Sequence, residues 1–277
     1  MGNVADGLPA GQHSLGAPIR TLGRSRAPTR RVMEAAIVSK SDDRWQVRLV
    51  GEMSDLSGLA TQFDMPGARV IEQEGSYYLE SQDFAPGLAA ADVRSLAEKK
   101  LAIMNGAMRL RMKQYGTVTL GGEMRQGGNI NLCVGTGHIM VRGGAASLVI
   151  SGVDNPAIKG NSQLQEWLIL ADRHDAVAMA LRLVGGYTRT WSDLYRLYEV
   201  VNGDVGGIDK VTGKGWATNS KIELFKRTAN HPNAAGDGAR HGHSTESPPR
   251  NPMLINDAEM LVFGIVEQWL AAKGSNR

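Results

Sequence analysis

The chain has 277 residues, 42% of them hydrophobic, with one cysteine and a formal net charge of +3. No apolar run reaches the roughly 18 residues of a spanning helix, the start lacks the apolar core of a signal peptide, and Cys133 alone excludes an internal disulfide or a thiol-rich zinc site. These points predict a cytoplasmic protein without a membrane association, in which Cys133, set in the apolar run "INLCVG", is a packed thiol.

The positive charge is unevenly spread. Residues 1–40 hold six basic residues, Arg20, Arg24, Arg26, Arg30, Arg31 and Lys40, against Asp6 and Glu34, a net +4 that leaves the remainder at −1. Residues 1–43 are rich in Gly, Pro, Ser and Arg without a sustained apolar period and read as a disordered basic tail. Such an arm can touch phosphate.

Order is expected from "RWQVRLV", where Trp45, Val47 and Leu49 alternate as in a half-buried strand. "SDLSGLATQF" predicts a short helix opened by Ser54. "ARVIEQ" and "SYYLES" predict two strands joined at Glu74–Gly75. In "ADVRSLAEKKLAIMNGAMRLRMKQ", Val93, Leu96, Ala97, Leu101, Met104, Met108 and Met112 follow helical spacing. Asn105–Gly106 weakens the middle of this helix by about 1 kcal/mol. "TVTLGGE", "NINLCV", "HIMVRG" and "SLVISG" then predict an antiparallel meander. Its Gly-rich turns lack the Gly-Lys-Ser/Thr and following helix of a phosphate loop.

After Pro156 and Gly160 the pattern becomes helical. "SQLQEWLILADR" and "HDAVAMALRLVGG" predict one or two helices. Three more have capping signals: Thr190 with Asp193, Ser220 with Glu223, and Asn256 with Glu259. Asp204 and Asp209 lie among glycines but miss the spacing of a calcium loop. Trp45, Trp167, Trp191 and Trp269 are expected in cores, and Trp216 at a surface. The fold class is therefore α+β: an N-terminal antiparallel sheet with one long helix, residues 44–152, followed by an all-α bundle, residues 160–275.

The last two predicted helices are joined by "TANHPNAAGDGARHGHSTESPPRNP", far longer than the usual helix connection of about 2–8 residues. It gathers Asn230, His231, Asp237, Arg240, His241 and His243. An arginine fork can hold a phosphate, and an imidazole can move a proton near neutral pH. Two other readings compete. His231, His241 and His243 could hold a metal ion, although no His-Glu-x-x-His motif is present. Alternatively the segment is purely structural, with Arg240 paired to Asp237 or Glu223 and the histidines at helix ends.

An Arg/His segment just before a final amphipathic helix, in a helical C-terminal half, resembles the HEPN superfamily of small helical bundles found in bacterial toxins and RNA-cleaving defence effectors. The run from "RWQVRLVGE" through "YYLES" to "ARHGHS" and "PPRNPM" is also similar to a group of bacterial two-domain proteins. The HEPN resemblance implies a metal-independent, cofactor-free endoribonuclease acting as a homodimer through the helical domain. Arg240, His241 and His243 would be its catalytic residues, with Asn230 and His231 orienting RNA. Where that family carries its histidine this chain has Thr245, Glu246 and Ser247; its own imidazoles stand closer to the arginine. A non-catalytic module that docks protein or nucleic acid through the same segment is the other function that these residues allow.

Overall fold

The structure, a computed structural model, describes residues 44–112, 114–127, 129–132 and 162–275. The basic tail, the expected strands "HIMVRG" and "SLVISG", Cys133 and the Pro156–Gly160 boundary lie outside the described residues.

The α+β class holds. Strands β1 (Gln46–Val50), β2 (Asp64–Met65), β3 (Ala68–Gln73), β4 (Ser76–Glu80), β5 (Thr119–Gln126) and β6 (Asn129–Leu132) form one antiparallel sheet in the order β2-β3-β4-β1-β5-β6. The predicted alternation in β1 is real: Val47 and Leu49 point into the core, and Val47 pairs with Leu79 of β4 and Met124 of β5. At the β3–β4 hairpin Glu74 and Gly75 both take positive φ, 54° and 74°, which matches the twist of the flanking strands.

Helix α1 (Met53–Gln62) packs on β3, and α2 (Ala90–Arg111) packs on β5. The helical half comprises α3 (Ser162–Arg173), α4 (Asp175–Gly185), α5 (Trp191–Val205), α6 (Ile208–Gly213), α7 (Asn219–Asn230), the single turn α8 (Pro232–Ala235) and α9 (Ile255–Gly274). Buried apolar residues from Trp45 to Leu270 form a continuous cluster, so the sheet half and the helical half share one core.

The join between the halves is the α2–α4 crossing. Gly106, which makes α2 a poor helix at that point, sits against the backbone of Leu181, and Gly185 sits against Ala102. Neighbouring Asn105 is buried and makes three side-chain hydrogen bonds: Nδ2 donates to Val118 O at 2.8 Å, and Oδ1 accepts from Tyr115 Oη at 2.7 Å and Val118 N at 3.3 Å. One turn on, Arg109 Nη1 donates to the carbonyls of Val184 and Tyr187, both at 3.0 Å, satisfying the open end of α4. Lys100 Nζ, mostly buried, reaches Asp83 at 2.7 Å and Asp172 at 3.6 Å, joining the loop after β4 to α3.

Of the three expected caps one forms as predicted. Thr190 Oγ1 accepts from Asp193 N at 3.1 Å, and the Asp193 carboxylate turns back to Thr188. The cap of α7 is Thr218, whose Oγ1 accepts from Lys221 N, while Ser220 falls inside the first turn and Glu223 pairs with Lys226. At α9 neither Asn256 nor Glu259 caps; both hold the Arg189 guanidinium from the α4–α5 link. A cationic donor outcompetes a neutral backbone N–H for these oxygens. Asp204 accepts from Trp269 Nε1 at 2.8 Å and pairs with Lys273 at 3.0 Å, tying the end of α5 to α9. The four tryptophans expected in cores are buried; Trp216 is half-buried, with Lys214 over its ring.

Candidate functional site

The polar segment after α7 is short on regular structure but tied down at several points. The helix ends at Asn230, and His231 caps the single turn α8. The Arg240 N–H donates to Ala229 O at 2.8 Å, folding the chain back on the end of α7. Ser192, in the first turn of α5, donates to Ala239 O at 3.2 Å. Fully buried Thr228 donates to Leu224 O and accepts from Met253 N at 3.1 Å, which fixes the far end of the segment just before α9.

His231 is 5% exposed, and both ring nitrogens are committed to backbone. Nδ1 accepts from Asn233 N at 3.1 Å, so the ring proton lies on Nε2, 2.8 Å from the Glu246 carbonyl that receives it. The imidazole thereby cross-links α8 to residue 246. Its neighbour Asn230 carries a buried Oδ1 with no hydrogen-bond partner. Asn230 and His231 line a cavity of about 200 Å3 with Lys226, Arg227, Ser244 and Glu246.

Arg240 lies elsewhere. Its guanidinium stacks on the ring of Tyr195, 4.2 Å from the centroid, and its Nη2 donates to Glu199 Oε1 at 3.0 Å. Tyr195 belongs to a cluster with Trp191, Tyr198 and Phe225. Burial, with Tyr195 and Glu223 nearby, pushes the Tyr198 hydroxyl up to about 12. The partner of Arg240 is thus Glu199 of α5; Asp237 and Glu223, the partners expected from sequence proximity, do not pair with it. Tyr195 and Glu199 are four residues apart on one helix face, a spacing at which an aromatic and a carboxylate present a single surface to an arginine.

His241 and His243 are exposed and have no hydrogen bond or ion pair among the described residues. The structure therefore brings Asn230 and His231 together at one cavity, commits Arg240 to an aromatic shelf, and leaves the other two imidazoles at the surface. Among the described residues no three His, Cys, Asp or Glu side chains gather as a metal ion requires. For the His231/His241/His243 alternative the physical reason is clear: His231 has no lone pair left to donate.

Arg227 and Arg250 are exposed and without an ion-pair partner among the described residues. No described helix is long and apolar enough to cross a membrane. Comparison of the chain with protein-family models, with characterised proteins and with solved structures gave no match.

Proposed function

We propose that the protein is a non-catalytic binding module and that the surface around the end of α7 and residues 240–250 contacts single-stranded RNA. The observation that carries this reading is the commitment of Arg240 and His231 to internal partners. An arginine already stacked and paired, and an imidazole with both nitrogens occupied, are poorly placed to stabilise a transition state or move a proton. What remains free is a set of surface donors, Arg227, Arg250, His241 and His243, of the kind that meets phosphate without base specificity.

Binding of a short labelled single-stranded RNA, followed by fluorescence anisotropy in chelator, tests the proposal. With about two phosphate contacts, affinity should fall about sevenfold between 50 and 200 mM salt. Arg227→Gln with Arg250→Gln should remove most of that salt dependence. The RNA should be intact on a gel afterwards. Absence of binding at low salt overturns the proposal. Cleavage that survives chelator and is lost in His241→Ala or His243→Ala overturns it in favour of the HEPN-type endoribonuclease.

A further inference from the structure

A groove of about 700 Å3 lies where the end of α2, the α4–α5 link and the first half of α9 meet. That size falls within the roughly 300–1,000 Å3 of small-molecule sites. One wall is apolar, from Leu110, Met260 and Phe263, and Met260 is 66% exposed. Gly264 opens the groove further: a β-carbon built there meets nothing within 4 Å.

The polar groups are fixed in place. Arg189 has a left-handed backbone, φ 63°, a conformation rare for a residue with a side chain. Its Nε pairs with Glu259 Oε1 at 3.1 Å, and its Nη2 donates to Glu259 Oε2 at 3.2 Å and to Asn256 Oδ1. Glu259 is thereby neutralised, and Nη1 has no hydrogen bond among the described residues. Arg109 is held by the end of α4. Glu267 also lines the groove, as do the two arginines, so the lining carries balanced charge with donor capacity left over at Arg189. The Tyr187 hydroxyl is enclosed beside Glu259, outside hydrogen-bond geometry; burial and that carboxylate push its pKa well up, so it stays protonated.

We propose that this groove binds a small amphipathic carboxylate, its anionic end on the free Nη1 edge of Arg189 and its apolar body against Met260, Phe263 and the open surface at Gly264. The site is separate from the RNA-contacting surface and does not rest on it.

Titration of the full-length chain with 2-naphthoate, naphthalene-2-carboxamide and 2-naphthylmethylamine, read by calorimetry, tests this. Naphthoate should bind tightest and the amine weakest. Arg189→Gln should weaken naphthoate about tenfold, as expected for losing one charge-assisted hydrogen bond. Gly264→Leu should abolish binding while the circular dichroism spectrum is unchanged and the melting temperature is no lower. No naphthoate binding to the unaltered chain, equal binding to Gly264→Leu, or an amine that binds as tightly as the carboxylate would each overturn the assignment.

Discussion

Gly106 of α2 lies so close to the carbonyl of Leu181 in α4 that no β-carbon fits between the two helices. The contact is reciprocated one turn away, where Gly185 meets Ala102 O. Gly106→Ala gains about 1 kcal/mol of helix propensity but must push two backbones apart, so a net loss of about 2–3 kcal/mol is expected. Gly264→Ala, in open space on α9, should instead stabilise by up to about 1 kcal/mol. Urea denaturation of the two variants side by side checks both signs; a tolerated Gly106→Ala would mean that the helices do not cross this closely.

His231→Ala removes an acceptor from the Asn233 N–H and a donor from the Glu246 carbonyl. Loss of a cap costs about 0.5–2 kcal/mol, and the effect should be local. Amide hydrogen exchange is expected to accelerate at residues 233–247 with α5 and α9 unaffected. Uniform acceleration across the chain would show that the histidine supports the global fold and not the segment.

Arg240→Ala loses a partly exposed ion pair and a stacking contact. Screened by solvent, the pair contributes about 0.2–1 kcal/mol and the stack about 0.5–1 kcal/mol. A double-mutant cycle of Arg240→Ala with Glu199→Gln isolates the first. Tyr195→Leu should lower the cost of Arg240→Ala, and additivity of those two changes would sink the stacking assignment.

Two carboxylates set an acid limit. Burial pushes Glu123 up, but hydrogen bonds from Arg125 and Tyr78 and the charges of Arg125 and Arg48 outweigh it, so its pKa is lowered. At Asp193 burial is likewise outweighed, by the hydrogen bonds from Thr188 and Thr190 and by the charge of Arg196. A pKa depressed in the folded state contributes stability that is complete above the unfolded carboxylate value of about 4 and is lost as pH falls through the folded value. Melting temperature should therefore decline below about pH 4, and Asp193→Asn should flatten part of that decline.

Much of the fold was legible from residue periodicity. The alternation of Trp45, Val47 and Leu49, the Glu74–Gly75 turn, the long apolar face from Val93 onward and the Thr190 cap all follow from interactions within a few residues. The Asn105–Gly106 pair was legible only as a local weakness, because its value lies in how closely α4 approaches. Asn256 and Glu259 satisfy the local rule for a capping pair, yet their oxygens go to Arg189, 67 and 70 residues away.

The candidate site divides along the same line. Sequence marks residues 228–252 as an unusually long polar connection rich in arginine and histidine, since composition and spacing are local properties. It cannot say that Arg240 would stack on Tyr195, or that His231 would spend both nitrogens on backbone. Those outcomes depend on where α5 and residue 246 come to lie. Hydrogen bonds and ion pairs are claimed by whichever partner is nearest in space, and that nearness exists only once the helices have packed.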